Sequence, residues 1–221
     1  MFAVDFMALR LHLLNAIERI RAFMSIYKLK SSFQSLLRPL VGRLAAIGVT
    51  ANQVTIIAAV VSVAVGAVLV VNPVSALFAL VPVWMVLRMG FNAIDGMLAR
   101  EHGQKSPLGG YLNELTDVVS DAALYAPFAL VAPFSIPWLA VIILLATLTE
   151  FSGVLGAVHG NGRNYEGPMG KSDRALLFGA LGALVAGFGT LPEWTWHIQP
   201  MVCVLLVWTI VNRVRAGLTR P

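Results

Sequence analysis

Apolar residues run along this chain in long blocks that short polar connections separate. A membrane-spanning helix needs about 20 mostly apolar residues, and six blocks meet that length. Lipid leaves no water to satisfy backbone polar groups, so these blocks are expected to be helices. The pattern predicts an all-α integral membrane protein whose residues 49–221 form one six-helix transmembrane domain. The predicted spans are near Ala51–Val71, Ser75–Ala99, Gly109–Ala132, Ile136–Val158, Ser172–Thr190 and Pro200–Val214.

A different pattern precedes the first block. Residues 28–48 place basic side chains on one side and Leu, Val and Phe on the other, which predicts an amphipathic juxtamembrane helix on the membrane surface. Two interpretations stay open for the N-terminal extension at 1–27. Its apolar positions recur every three or four residues, as in an interfacial helix. Alternatively, translation begins at Met24 and the preceding residues are upstream sequence.

Composition and charge agree with a membrane location. Only 12% of the residues are charged and the mean hydropathy is +0.79, whereas soluble domains are about 25% charged. Lys and Arg concentrate in the N-terminal segment, around the loops at 99–107 and 159–174, and after Asn212. This bias follows the positive-inside rule and predicts cytoplasmic termini, in the inner membrane if the cell is bacterial. We therefore attribute the net charge of +5 to topology and contact with anionic lipid, and expect no nucleic-acid partner.

Polar residues interrupt two neighbouring blocks at helical spacing. One stripe follows i, i+4, i+7 and i+11, and comprises Arg88, Asn92, Asp95 and Ala99. The other repeats every four residues and comprises Gly109, Asn113, Asp117, Asp121 and Tyr125. A short loop joins the two helices, so we expect antiparallel neighbours whose stripes face each other around a cytoplasmic pocket. Its oxygen ligands suit Mg²⁺ or Mn²⁺.

A purely structural polar seam is the simpler alternative. One Asn on each helix would suffice for a seam, however, and facing carboxylates repel each other unless a positive charge lies between them. Ionisable residues inside membranes are costly and usually functional. A cation transporter is a third possibility, but its acidic residues would lie near the bilayer midplane rather than close to the cytoplasmic face.

The spacing of these residues matches a known signature. Asn92-x-x-Asp95-Gly96-x-x-Ala99-Arg100, eight further residues, and Gly109-x-x-x-Asn113-x-x-x-Asp117 resemble the motif of the CDP-alcohol phosphatidyltransferase family. That motif reads D-x-x-D-G-x-x-A-R-(x)8-G-x-x-x-D-x-x-x-D, and six of its eight fixed positions match. TANQVT, at the start of the first span, is similar to the family's P-N-x-x-T element. Residues 28–215 fit the family's plan of a surface helix followed by six spans.

The resemblance implies a transferase of phospholipid biosynthesis. It would move a phosphatidyl group from a CDP-linked donor, usually CDP-diacylglycerol, to an alcohol and release CMP. By the family pattern, Asp117 is the general base for the acceptor hydroxyl. A homodimer is also implied. The implied CDP-binding residues are Asn52, Thr55, Asp95, Gly96, Ala99, Arg100 and Gly109.

The resemblance also implies metal ligands, at Asn92, Asp95, Asn113 and Asp117. The family has Asp at the two positions where this chain has Asn92 and Asn113. Asn offers a carbonyl oxygen without charge, so the formal charge of the site falls from −4 to −2. Three outcomes stay open: one metal ion instead of two, recruitment of Asp121 or Glu114 as a ligand, or binding of a CDP-lipid without efficient turnover.

The loop at 159–174 supplies candidate residues for the acceptor. Arg163, Lys171 and Arg174 precede or begin the fifth span, and a helix N-terminus with basic side chains suits a phosphate. Because the family often has basic residues here, the resemblance implies a phosphorylated acceptor such as inositol phosphate or glycerol phosphate. A loop that only anchors topology is the alternative. Deeper in the membrane, Arg88 is expected to pair with Asp121 or Glu150.

Overall fold

The computed structural model describes residues 33–160 and 162–219, and this part of the chain is helical without any strand. Seven α-helices follow one another in these residues. Short 3-10 segments at Ser75–Ala79, Ala126–Leu130 and Glu193–His197 flank three of them. The predicted extension at 1–27 lies outside the described residues. The helices are α1 (33–46), α2 (Ala51–Val71), α3 (Leu80–Glu101), α4 (Pro107–Tyr125), α5 (Ile136–Val158), α6 (Lys171–Phe188) and α7 (Ile198–Thr219).

Local sequence explains where these helices begin and end. Thr50 caps α2 through a reciprocal pair of hydrogen bonds with Gln53. Ser106 caps α4 by accepting from the Gly109 amide, and Pro107 occupies the first turn. The third predicted span is longer than α4, because the helix gives way to a 3-10 segment that contains Pro127. The fifth is longer than α6, because Gly189 ends that helix with a φ of 80°.

Within the described part of the chain, four helical segments are long and apolar enough to cross a membrane: Ala51–Val71, Ser75–Glu101, Ile136–Val158 and Glu193–Leu218. The first is 21 residues long, which at about 1.5 Å per residue matches a hydrocarbon core of about 30 Å. Helices α4 and α6 are shorter, with 19 and 18 residues, and the three charged residues of each leave no uninterrupted apolar stretch of spanning length. These three are Glu114, Asp117 and Asp121 in α4, and Lys171, Asp173 and Arg174 in α6.

Helix α2 packs against both α3 and α4, while α5 packs against α7 and α3 against α6. A Cβ at Gly66 would lie 2.2 Å from the carbonyl oxygen of Ala123, so only glycine permits the close contact between α2 and α4. The sequence predicted that α3 and α4 would be direct neighbours. In the structure α2 lies against both of them, because Gly66 lets α4 approach α2 closely. The Arg88 side chain of α3 reaches α4 by donating to the Asp121 carboxylate and to the backbone carbonyl of Asp117.

Apolar side chains pack α1 against α3 and fill the centre of the helix bundle. Val41 of α1 is fully buried with Met97 and Leu98 of α3, and Arg38 donates two hydrogen bonds of 3.1 Å to Glu101. In the centre, the rings of Tyr125 and Phe178 stack with centroids 4.0 Å apart. This aromatic layer lies next to the buried polar residues, so α4 and α6 are fixed beside the candidate site.

Candidate functional site

A cavity of about 490 Å³ opens between the N-terminal turns of α2 and α4 and the last turns of α3. All seven residues that the sequence predicted to bind CDP line this cavity: Asn52, Thr55, Asp95, Gly96, Ala99, Arg100 and Gly109. Its other lining residues are Ala51, Gln104, Lys105, Ser106, Pro107, Gly110 and Asn113. The structure therefore brings the two halves of the motif and the start of α2 to one place.

Two glycines make room for polar side chains in this cavity. A Cβ at Gly96 would lie 2.9 Å from Arg100 Nη2, so the guanidinium lies over the backbone of its own helix. A Cβ at Gly109 would lie 2.9 Å from Asn52 Oδ1 and 3.2 Å from Ser106 Oγ. Glycine at these positions lets the Arg100 and Asn52 side chains lie against the helix backbone.

Hydrogen bonds fix the acidic residue of this cavity and the rim beside it. The hydroxyl of Thr55 lies 2.8 Å from Oδ2 of Asp95 and donates to it, which joins α2 to α3. The backbone amide of Ala51 donates to Oε1 of Gln104 at 2.7 Å, which joins the start of α2 to the loop before α4. Asp95 is buried, yet its side chain lines the cavity.

A second cavity, of about 380 Å³, adjoins the first, and Asn113 lines both. It lies between α3, α4, the loop before α6 and the end of α7. Three basic side chains face it, from Arg163, Lys171 and Arg213. Its remaining lining residues are Asn92, Asp117, Glu150, Tyr165, Gly170, Ser172 and Asp173.

Asp117 contacts two cations in the second cavity. Its Oδ1 lies 2.5 Å from Nζ of Lys171 and 3.2 Å from Nη2 of Arg88. Asp117 is 9% exposed, and the Lys171 side chain is 29% exposed. Lys171, which the sequence placed at the acceptor, therefore lies directly beside the predicted general base.

A buried polar network lies behind Asp117. Arg88 Nη1 donates to Asp121 Oδ1 at 2.6 Å, so that of the two partners predicted for Arg88, Asp121 and Glu150, the structure has Asp121. Arg174 Nη2 lies 3.0 Å from Asp121 Oδ2 and 2.9 Å from Glu150 Oε1. Both carboxylate oxygens of Asp121 therefore bind arginines. Arg174 has no exposed side-chain area and lines neither of the two large cavities, unlike Arg163 and Lys171.

The loop before α6 brings Arg163 to this network. Arg163 pairs with Glu114 and donates to Glu150 Oε2 at 2.8 Å. Burial alone would lower the pKa of Arg163, but the charge of Glu114 and the other acidic neighbours raise it above its ordinary value. Glycine in α5 allows the loop to approach, because a Cβ at Gly153 would lie 2.6 Å from the backbone oxygen of Asn164.

The donor set for a divalent cation is smaller than the family motif implies. Among residues 33–160 and 162–219, no three His, Cys, Asp or Glu side chains cluster as a metal site. Asp95 and Asn113 line one cavity, and Asn92, Asn113 and Asp117 line the other. One carboxylate with amide oxygens nearby fits a hard cation such as Mg²⁺ or Mn²⁺. Glu114 and Asp121, the alternative ligands considered from sequence, both pair with arginines.

Sequence reasoning missed Arg213 and Gln104. Arg213 is 2% exposed, pairs with Glu150 at 3.6 Å, and donates to the carbonyl of Thr149. The positive-inside pattern counts Arg213 among the cytoplasmic basic residues. Its position inside the last predicted span, Pro200–Val214, is the signal that could have indicated a buried role. Gln104 lies in a short loop, where nothing in the pattern marked its bond to α2.

The fold and the site define a helical membrane protein whose polar site is built within its helices. A family model described as CDP-alcohol phosphatidyltransferase matches residues 48–211, and the chain belongs to this family.

Two curated proteins are similar along most of the chain. The inner membrane protein YnbA of Escherichia coli K12 is 44% identical over 88% of this chain and 97% of its own length. The phosphatidylinositol phosphate synthase of Mycobacteroides abscessus is 28% identical over 87% of this chain and 88% of its own length.

Solved structures share the fold. The phosphatidylinositol phosphate synthase of Mycobacterium tuberculosis with CDP-DAG bound aligns with a TM-score of 0.66 and 20% identity, over 83% of this chain and 94% of that one. The same synthase in complex with manganese and citrate aligns with a TM-score of 0.65 and 20% identity, over 83% of this chain and 89% of that one. At this identity, the similarity establishes a common fold.

Proposed function

We propose that this protein transfers a phosphatidyl group from CDP-diacylglycerol to an alcohol and releases CMP, as a step of phospholipid biosynthesis. The observation that carries the proposal is the pair of adjoining cavities that Asn113 lines in common. A donor in the first cavity and an acceptor in the second would meet beside Asp117. The related synthase that was solved with CDP-DAG bound has the same fold, which supports a CDP-lipid as the donor.

The first cavity suits the donor's nucleotide. Its volume of about 490 Å³ falls within the range of small-molecule sites, about 300–1,000 Å³. Gly96 and Ala99 leave α3 without bulk, so cytidine can lie against the helix. Arg100 supplies a fixed cation for a phosphate, and Asn52 supplies an amide for the base or ribose.

The chemistry requires one proton transfer and one displacement. Asp117 takes the proton of the acceptor hydroxyl, the oxygen attacks the lipid-bearing phosphorus, and the bond to CMP breaks. Because Oδ1 of Asp117 is engaged by Arg88 and Lys171, Oδ2 is the oxygen that would reach the hydroxyl. Asp95, with the amide oxygens of Asn92 and Asn113, would hold Mg²⁺ or Mn²⁺, which neutralises the diphosphate and the departing CMP when bound.

The second cavity suits a phosphorylated acceptor. Three basic side chains, of Arg163, Lys171 and Arg213, line a cavity that also includes the N-terminus of α6. Backbone amides at a helix N-terminus and cationic side chains both favour phosphate oxygens. Arg174, a predicted member of this set, would act indirectly instead, by holding Asp121 and Glu150 in place.

We further propose six spans, with both termini and the site at the cytoplasmic side, and a homodimer as the family pattern implies. Helices α4 and α6 are less apolar but still expose large apolar side chains. Leu115 of α4 is 63% exposed, and Leu176 and Phe188 of α6 are 75% and 77% exposed. Such surfaces fit contact with lipid, while Glu114, Asp117 and Asp121 of α4 and Lys171 and Arg174 of α6 form ion pairs inside the bundle.

Release of CMP is the decisive measurement. Purified protein would be incubated with CDP-diacylglycerol and Mg²⁺ or Mn²⁺, with inositol phosphate and glycerol phosphate each compared with inositol and glycerol. We expect CMP and a new lipid only with a phosphorylated acceptor. Turnover with the unphosphorylated alcohols alone would contradict the acceptor assignment. Tight binding of CDP-diacylglycerol without CMP release from any acceptor would favour a protein that binds the CDP-lipid without turnover. The cations that contact Asp117 and the two motif asparagines would explain such a loss of activity.

A further inference from the structure

The buried carboxylates around the site differ in how they are neutralised. In the described part of the chain these are Asp95, Asp117, Asp121 and Glu150. Three of them form ion pairs with basic side chains: Asp117, Asp121 and Glu150. Asp95 forms none among the described residues and accepts from the Thr55 hydroxyl instead. One negative charge at the cavity wall is therefore left without a protein cation in contact with it.

Lys171 is held close to Asp117 by its position in the fold. It is the first residue of α6, whose first turn is fixed by a 2.8 Å hydrogen bond from the Gly170 amide to Asp173. Its Nζ lies 2.5 Å from Asp117 Oδ1, and Arg88 occupies the same oxygen at 3.2 Å. A divalent ion bound at this oxygen would have to displace both cations or accept their repulsion.

We propose that Lys171 is a built-in cation that takes the place of a second metal ion, so that this site binds one divalent cation, at Asp95. Two features then have the same effect on metal binding. Asn92 and Asn113 lack the family's carboxylates, and the Lys171 ammonium lies beside Asp117. Removing two negative charges and supplying one positive charge both disfavour a second ion. The inference rests on the proposed function, because it assigns the charges of the same site.

The test counts bound metal and needs no turnover. Full-length protein in detergent is titrated with Mn²⁺ alone, and free Mn²⁺ is followed by electron paramagnetic resonance. We expect about one Mn²⁺ per chain in the unmodified protein and none in Asp95→Asn. The double variant Asn92→Asp/Asn113→Asp should still bind about one ion, and the addition of Lys171→Met should raise the number to about two.

Lys105→Met is the matched control, because Lys105 lines the first cavity and forms no ion pair with Asp117. In the same double-Asp background it should leave the number of bound ions unchanged. Two ions or none in the unmodified protein would overturn the proposal, whether or not the variants fold. Two ions in the double variant with Lys171 intact, or one in the triple variant, would also overturn it. The number of bound Mn²⁺ ions is measured without CMP release. A failure of the proposed reaction can therefore be distinguished from a failure of the one-ion proposal.

Discussion

Two glycines in the helices of the site have different surroundings. A Cβ at Gly109 of α4 would lie 2.9 Å from the side-chain oxygen of Asn52, whereas a Cβ at Gly90 of α3 would meet nothing within 4 Å. Gly109 lines the first cavity, and Gly90 lines neither of the two large cavities. A side chain at Gly109 would therefore displace Asn52, whereas a side chain at Gly90 would displace nothing.

This contrast gives a paired experiment. Gly109→Ala should displace Asn52 from the nucleotide cavity and reduce kcat/KM for CMP release by roughly tenfold to a hundredfold, as small misplacements at a reacting centre do. Gly90→Ala is the control and should remain within about twofold, because alanine there meets no neighbouring atom, lies outside both cavities and favours helix. Equal effects of the two substitutions would show that the Asn52 contact has no part in binding.

Asp117 carries the proposed proton transfer. Asp117→Asn keeps the shape of the side chain and removes its basicity, so kcat should fall by about 10²–10⁴-fold. Retained binding of CDP-diacylglycerol would show that the fold and the donor cavity are intact. The control is Glu193→Gln at an exposed position outside both cavities, and it should leave kcat unchanged. An Asp117→Asn variant with full kcat would exclude Asp117 as the base.

At the scale of elements, buried ion pairs connect helices that are far apart in sequence. Arg88 of α3 joins Asp121 of α4, Arg174 of α6 joins Asp121 and Glu150, and Arg213 of α7 joins Glu150 of α5. Removal of Arg174 would break its pairs with Asp121 and Glu150 and leave each buried carboxylate with fewer cationic partners. The network is therefore expected to make the positions of the helices depend on one another.

Arg174→Ala measures this dependence. Loss of one partner of a buried pair costs about 3–5 kcal/mol, so the apparent Tm of the protein in detergent should fall by several degrees. Arg38→Ala is the comparison, because Arg38 pairs with Glu101 at an exposed site where solvent screens the charge. Fluorescence-detected size-exclusion chromatography after heating would compare both variants. A Tm for Arg174→Ala equal to that of Arg38→Ala would show that the network is not stabilising.

The polar stripes show which parts of this arrangement a sequence can reveal. Spacing within one helix is local, so the placement of Asn113, Asp117 and Asp121 on one face followed from periodicity alone. The packing of α2 against both α3 and α4 depends on the fit of Gly66 against Ala123, which no pattern encodes. The partners of Arg174 and Arg213 lie on other helices, and only the three-dimensional fold defines those contacts.

At the scale of the whole molecule, the proposed topology assigns alternate connections to opposite sides of the membrane. In a background without Cys203, single cysteines at His102 and His159 should react with an impermeant maleimide only from the cytoplasmic side. Cysteines at Ser135 and Glu193 should react only from the other side. His102 and Ser135 flank α4, and His159 and Glu193 flank α6, so each pair tests one of the two less apolar helices. Labelling of both members of a pair from the same side would show that the intervening helix does not span.

The ion-pair network also bears on how the chain enters the membrane. The carboxylates are on α4 and α5 and their basic partners are on α3, α6, α7 and the loop before α6. A helix that entered lipid alone would carry charge without its partner, at a cost of about 2.5–3.5 kcal/mol for each charged residue. For the proposed six-span arrangement, α4 and α6 should therefore integrate together with neighbours synthesised before or after them, and biogenesis of this protein should be cooperative rather than one helix at a time.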